Sequence, residues 1–298
     1  MVISPLNYTG NKAKSLRELL DIFPKEIDTF YDIFCGSGLV GSNSNAKKIV
    51  ANDLSIHAIK LLEYLKDTPT FRIISNMESI IEKYKLTDSK KMPKGTYVEY
   101  KHEGLSLYNK PSFIKMRSDF NKSAHKDYAL LFALTIFGFN HYIRFNSKGL
   151  YNVPVGKVDF SQSLYEKTVS FSELLKSKNI EISNLDFRNP ILYANASEHD
   201  LFYFDPPYMI TSAPYNAFWT AKEEHDLLNL LDKLNKRGIK FALSNVFYSN
   251  GKTNDILIEW SKKYRVHEIK RQYKNANYRR KNHSLAREVL ITNFRREV

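Results

Sequence analysis

Asp205-Pro206-Pro207-Tyr208 carries the most specific chemistry in the chain, because it follows directly on the apolar run Leu201-Phe202-Tyr203-Phe204. An apolar run that stops at an acid and two prolines reads as a buried parallel strand reaching its carboxyl end, where open α/β sheets hold their ligands. The prolines fix φ and lack N–H groups, which makes the loop stiff and leaves its carbonyls to accept from something else. An exocyclic aromatic amine such as adenine N6 suits these acceptors, since its lone pair is delocalised and needs redirecting. The Asp205 carboxylate and Pro206 carbonyl would take its two hydrogens and aim the lone pair at an electrophile, with Tyr208 stacked on the ring. A strand-ending turn without chemistry is the competing reading of the same four residues.

A glycine loop lies upstream. Residues 31–41 read Tyr31-Asp32-Ile33-Phe34-Cys35-Gly36-Ser37-Gly38-Leu39-Val40-Gly41, and Asp53 follows the strand-like run Lys48-Ile49-Val50-Ala51-Asn52. Gly36, Gly38 and Gly41 satisfy the dinucleotide-binding spacing, so a nicotinamide dehydrogenase is a live alternative. Asp32 argues against it, because a carboxylate is electrostatically wrong beside a pyrophosphate. An acid there suits a ligand such as S-adenosylmethionine, which carries an α-ammonium and a sulfonium, while Asp53 could accept from ribose hydroxyls. Cys35, the sole cysteine, reads as a small buried side chain.

In motif content and order the chain resembles the Dam-type (class alpha, D12 class) DNA adenine-N6 methyltransferases. Asn7-Tyr8-Thr9-Gly10-Asn11-Lys12 is similar to that family's amino-terminal cofactor motif, with Tyr8 and Lys12 in binding positions. Asp32 to Gly38 resembles the loop for the cofactor's methionine part, which adds Phe34, Gly36 and Gly38. Asp53 matches the ribose-binding acid, Asp186-Phe187 the motif for the cofactor's adenine, and Asp205 to Tyr208 the catalytic motif. Leu243-Ser244-Asn245 resembles the strand end that follows. The resemblance implies S-adenosyl-L-methionine as cofactor and duplex DNA with a short specific site as substrate. A restriction-modification setting would follow, with a cognate endonuclease acting separately and the enzyme a monomer.

Composition is compatible with a polyanionic partner. The 298 residues carry a formal net charge of +13, and residues 262–287 hold ten Lys or Arg against the single acid Glu268, interleaved with Tyr264, Tyr273 and Tyr278. Such a stretch can supply phosphate contacts, with Arg279, Arg280 and Lys281 at its densest point. A lone cysteine excludes an internal disulfide and fits a reducing cytoplasm. No signal peptide is expected at the start, and no apolar run reaches the ~18 residues that a membrane span needs. The eight His residues show no paired ligand spacing, so no metal is expected.

The elements that must position these motifs read as an α/β, Rossmann-like sheet split by an insert. Residues 1–66 and 165–298 form the expected catalytic domain. It begins with a helix around Ala13–Leu20 and has another at Ile56–Leu65, then helices at Tyr165–Lys176, Ala221–Lys236 and Thr253–Lys263. Strands are expected at Ile180–Ile182, Leu201–Phe204, Lys240–Ser244, Arg265–Ile269 and Glu288–Thr292. Residues 67–164 lose the strand and helix alternation and read as a mostly helical target-recognition domain, with an apolar helix at Tyr128–Phe139. Asn140 to Lys157 reads as a helix end running into a hairpin whose turn is Ser147-Lys148-Gly149. Two-stranded ribbons fit the DNA major groove, and Arg reads guanine bidentately. By resemblance Arg144 and Pro154 fall on the family's recognition positions, and Asn140 and His141 on duplex-wedging ones. Asn146 and Lys148 join them as DNA contacts. Methylation of RNA adenine or of cytosine N4, or a non-catalytic DNA-binding module, are the remaining alternatives.

Overall fold

The computed structural model describes residues 1–7, 10–92, 104–123, 127–211, 219–269 and 287–296, except for the side chain of Arg287. Two compact units share the chain. One comprises Met1–Asn11, Gly36–Leu39 and Ser55–Lys178, the other Lys12–Cys35, Val40–Leu54 and Asn179–Val298.

The second unit is built on one mixed sheet. Its strands are β1 (Thr29–Asp32), β2 (Lys48–Asn52), β3 (Ile180–Ser183), β4 (Leu201–Phe204), β5 (Lys240–Ser249), β6 (Lys252–Thr253), β7 (Arg265–Glu268) and β8 (Arg287–Thr292), in the order β3-β2-β1-β4-β5-β8-β7 with β6 on β5. Strands β1 to β5 run parallel where they pair, and β8 enters antiparallel between β5 and β7. Because β1 is flanked by β2 on one side and β4 on the other, the chain reverses its winding there and opens a crevice at the carboxyl ends of β1 and β4. All four residues of β4 are buried, as a central parallel strand requires. Tyr31 of β1 stacks on Phe202 of β4 with centroids 4.1 Å apart, one of the cross-strand contacts that set the register.

Helices α1 (Leu16–Ile22), α2 (Leu39–Asn43), α8 (Ala221–Lys236) and α9 (Asp255–Ser261) accompany the sheet. Helix α8 starts at a capping box between Thr220 and Glu223, which satisfies backbone donors at the amino end. Its Leu227, Leu228, Leu231 and Leu234 recur at helical spacing and join Phe202, Phe204, Phe241 and Leu243 in one core. Two expectations shift here. Helix α1 begins at Leu16 instead of Ala13, and β5 runs to Ser249, so Leu243-Ser244-Asn245 lies inside a strand and not at its end. Parallel pairing with β4 does stop at Leu243, but β8 carries the ladder on through Val246.

The first unit is helical: α3 (Ile56–Asp67), α4 (Thr70–Tyr84), α5 (Ser106–Lys122), α6 (Tyr128–Phe137) and α7 (Gln162–Ser177). Helix α6 is apolar all round and buried from Leu130 to Phe137, as expected of a central helix. Asp127 caps it by accepting from the Leu130 N–H at 2.8 Å. Helices α4, α5 and α3 pack around it and α7 packs on α3. The helices before and after the expected insert, α3 and α7, thus belong to this compact unit. Helix α5 was not foreseen as a distinct element, since its composition is polar and Pro111 lies inside it.

The stretch expected to be a hairpin contributes isolated antiparallel bridges, Gly138 with Val155 and Phe145 with Tyr151, and no regular strands. Asn140 and His141 take φ of 51° and 56°, two successive left-handed residues that break extended backbone. Across the turn, the Asn146 side-chain oxygen accepts the N–H groups of Lys148 and Leu150, both at 3.0 Å. Gly149, at φ 70°, supplies the left-handed position that closes it.

Candidate active site

Asp205 leaves β4 at its carboxyl end, and its carboxylate meets an ammonium from the far end of the chain. Lys12 Nζ lies 2.7 Å from both Asp205 oxygens, 2.8 Å from the Tyr208 hydroxyl and 3.5 Å from Glu288 Oε1. Tyr208 in turn lies within donating distance of Asp205 Oδ1 at 2.9 Å and Glu288 Oε1 at 3.2 Å. The side chains of Lys12 and Glu288 are 2% and 1% exposed while that of Asp205 is 18% exposed. The cluster therefore opens to the crevice at Asp205. Burial pushes the Asp205 carboxyl above its ordinary range against the pull of Lys12, and burial beside two acids drives the Tyr208 phenol well up, leaving it a neutral donor. Pro206 is buried and Pro207 half-buried between these groups. Behind them the Tyr203 hydroxyl shares a hydrogen bond of 2.8 Å with Ser244.

Asp32, at the end of β1, is buried and accepts the Gly41 N–H at 3.0 Å. Burial raises its carboxyl to about 7, with Asp205 and Asp53 adding to the shift. It thus braces the turn into α2, where a Cβ on Gly41 would come within 3.1 Å of Asp32 Oδ2. Gly36 and Gly38 have φ of 50° and 69°, left-handed backbone that favours glycine. Asp53 follows β2 and is buried, its N–H donating to Ser183 at 3.3 Å and its carbonyl accepting from Asn184 at 2.7 Å. The neighbouring Asn52 side chain ties the end of β1 to the segment after β3, donating to Ile33 and Leu185 and accepting from Ser183 and Leu185. Cys35 is buried, and burial pushes its thiol well up, consistent with a packing role.

Phe34 and Phe187 come together with ring centroids 5.5 Å apart, and Trp219 closes on both at 5.7 and 5.5 Å. Phe187 and Trp219 are buried in the core and Phe34 packs against them, an aromatic cluster beside the glycine loop. Asp186 is engaged bidentately by Arg188, with both contacts at 2.8 Å, and this pairing lowers its carboxyl pKa. Lys12, Asp32, Phe34, Asp53, Asp186, Phe187 and Asp205 all belong to the sheet unit. Tyr8 lies outside the described residues. Trp219, Glu224 and Glu288 were not anticipated. The only signal in the sequence was an acid at the start of an otherwise apolar strand for Glu288, and one on the apolar side of an amphipathic helix for Glu224.

In the helical unit, Arg144 and Lys148 are exposed, as are Asn140 and Pro154. Arg144 is held by Asn152, its Nε donating to the side-chain oxygen at 3.0 Å and its terminal nitrogen to the carbonyl at 3.1 Å. Asn140 accepts at its carbonyl from Asn7 at 2.8 Å. His141 Nδ1 lies 3.3 Å from the Thr135 carbonyl, and burial lowers its pKa. The Asn146 side chain serves the turn described above. Arg279, Arg280 and Lys281 lie outside the described residues. Among the described residues no acid, His and Cys group is placed to hold a metal, and no helix is long and apolar enough to cross a membrane.

The donor set fits S-adenosylmethionine: buried acids Asp32 and Asp53 suit its cationic and hydroxyl-bearing parts, and the aromatic cluster suits its adenine. Comparison with known proteins agrees. The chain is similar to the type II methyltransferase M.FokI of Planomicrobium okeanokoites, 37% identical over 299 residues, covering 98% of this chain and 43% of that protein. It is likewise similar to the modification methylase StsI of Streptococcus sanguinis, 33% identical over 301 residues with the same coverage. The type II methyltransferase M1.LlaDCHI of Lactococcus lactis subsp. cremoris is 24% identical over 295 residues, covering 96% of this chain and 94% of its own. The chain thus spans less than half the length of the first two relatives. A family model matches residues 8–275, and the chain belongs to the D12 class N6 adenine-specific DNA methyltransferase family.

Proposed function

We propose that this chain methylates N6 of an adenine flipped out of duplex DNA at a specific site, within a restriction-modification system whose endonuclease acts separately. The observation that carries the reading is Asp205, held at the mouth of the crevice by Lys12 and Tyr208 on a loop stiffened by two prolines. S-adenosylmethionine, when bound, supplies a methyl group already activated by its sulfonium. The protein's work is positioning. Asp32, Asp53 and the cluster of Phe34, Phe187 and Trp219 hold the cofactor, with Lys12 and Asp186 supporting its site. The adenine must leave the stack, at a cost of roughly a few kcal/mol that groove and phosphate contacts offset. Asp205 and the Pro206 carbonyl then accept the two hydrogens of N6, and Tyr208 lies against the base. The helical unit carries target recognition through residues 67–164, with Arg144, Lys148 and Pro154 at the groove and Asn140 and His141 at the wedge.

The test is methyl transfer from labelled S-adenosylmethionine to unmodified plasmid DNA, followed by nucleoside mass spectrometry. N6-methyladenine is expected, and N4-methylcytosine in its place would redirect the reading. Asp205→Ala should slow transfer on the order of 100-fold or more, as loss of a positioned transition-state partner does. A variant within about threefold of wild type would remove the catalytic assignment.

A further inference from the structure

Glu288 is the second residue of β8, followed by the fully buried Val289, Leu290 and Ile291. A carboxylate on such a strand costs several kcal/mol to bury unless it is paired. Among its partners are the two groups that hold Asp205: Lys12 Nζ at 3.5 Å and the Tyr208 hydroxyl at 3.2 Å. Two carboxylates therefore compete for one ammonium and one hydroxyl hydrogen.

We propose that Glu288 is a positioning residue for methyl transfer: by drawing the Tyr208 hydroxyl hydrogen and sharing the Lys12 ammonium, it leaves Asp205 an oxygen able to accept from the target amine. The inference rests on the reading of Asp205 as that acceptor. Asp205 Oδ1 faces Lys12 at 2.7 Å and Tyr208 at 2.9 Å, and Oδ2 faces Lys12 at 2.7 Å. A carboxylate offers roughly four lone-pair sites, so an incoming N–H competes with donors already in place. Tyr208 has a single hydrogen to give. Rotation of its hydroxyl toward Glu288 removes one donor from Oδ1 without breaking a covalent bond or moving a proton between groups. The Lys12 ammonium, drawn toward the second acid, is kept from closing on Asp205 alone. Among the described residues, the ionisable groups acting on Asp205 are Lys12, Tyr208 and Glu288, with Tyr203 and Asp32 beyond them. Glu288 is one of the groups that raise the Asp205 carboxyl.

Glu288→Gln, which keeps the shape and removes the charge, separates this role from a structural one. With unmodified plasmid DNA, kcat should fall about 10-fold or more, the scale that partners orienting a site group command, while calorimetry shows S-adenosylmethionine affinity unchanged. The acid limb of kcat should move to lower pH, because Asp205 loses a neighbouring negative charge. A purely structural Glu288 would lower the melting temperature and leave kcat of the folded variant at the wild-type value, and that result overturns the proposal. Tyr208→Phe supplies the second arm, since it deletes the hydroxyl through which Glu288 acts. The double variant should be no slower than the slower single variant, and multiplying losses also overturn the proposal. If Glu288→Gln does not fold, Glu288→Asp takes its place: its shorter side chain withdraws the carboxylate from the Tyr208 hydroxyl, so a kcat loss with cofactor affinity kept supports the proposal and a wild-type kcat overturns it. Asp205→Ala run alongside tells the two readings apart: an inactive Asp205→Ala beside an unaffected Glu288→Gln sinks only this inference, whereas an active Asp205→Ala sinks both.

Discussion

The indole N–H of Trp219 donates to the Glu224 carboxylate at 2.7 Å, and through that bond a buried acid on α8 fixes the aromatic cluster with Phe34 and Phe187. Glu224 also accepts from Asn254 at 2.9 Å and lies 3.4 Å from the Asn245 amide. Trp219→Phe keeps a ring but removes the donor. We expect a stability loss of about 1–3 kcal/mol, the usual cost of leaving a buried polar group short of a partner. Weaker S-adenosylmethionine binding should accompany it. Denaturant melts and calorimetry read the two effects separately, and unchanged cofactor affinity would detach the cluster from the cofactor.

Asp32 should make stability depend on pH and, on the proposed assignment, cofactor binding as well. Its carboxyl is raised by burial from 3.8 to about 7, so between those values the folded chain holds a proton that the unfolded chain has released. The unfolded state then binds fewer protons, and stability contributed by this group falls as pH rises through that window. Asp32→Asn should flatten that part of the stability profile. A cationic cofactor favours the ionised acid, so binding below about pH 7 should release a proton and tighten as pH rises. Calorimetry in buffers of different ionisation enthalpy detects the release, and its absence would remove Asp32 from the cofactor site.

Asp53 is buried at the end of β2, where an acid can accept from ribose hydroxyls. Asp53→Ala should weaken S-adenosylmethionine far more than DNA. Equal effects on the two ligands, measured by calorimetry and by DNA gel shift, would contradict the assignment.

Base reading and phosphate contact should separate by mutation. Arg144→Ala should lose about 1–3 kcal/mol of discrimination at one guanine while non-specific binding stays near wild type. Replacing Arg279, Arg280 and Lys281 together with Ala should weaken matched and mismatched duplexes alike and reduce the salt slope by up to about one unit per lost contact. Binding measured against log salt on both duplexes distinguishes them. Should Arg144→Ala weaken both duplexes equally while the trio relaxes one base position, the two regions have exchanged roles.

Local chemistry was legible in the sequence where it is contiguous. The run Leu201–Phe204 had to be a buried strand because every residue is apolar or aromatic, and Asp205-Pro206-Pro207-Tyr208 had to end it because proline cannot continue a central ladder. The glycine loop was equally plain, since positive φ at Gly36 and Gly38 favours glycine. The expected hairpin was half legible. Its Ser147-Lys148-Gly149 turn forms, but the flanks meet only in isolated bridges and form no regular strands. What no local pattern encodes is which distant charges meet. Lys12 reaches Asp205 across 193 positions, Glu288 reaches Tyr208 across 80, and Glu224 serves Trp219 from a helix whose capping box and leucine spacing predict only that it is a helix. Those partnerships follow from sheet order, because β8 enters beside β5 and carries Glu288 to Tyr208. Sequence alone determined the buried strand that Asp205-Pro206-Pro207-Tyr208 ends and the glycine loop, because they depend on neighbours in the chain; the tertiary structure decided the electrostatics around Asp205, because burial and pairing of charge depend on neighbours in space.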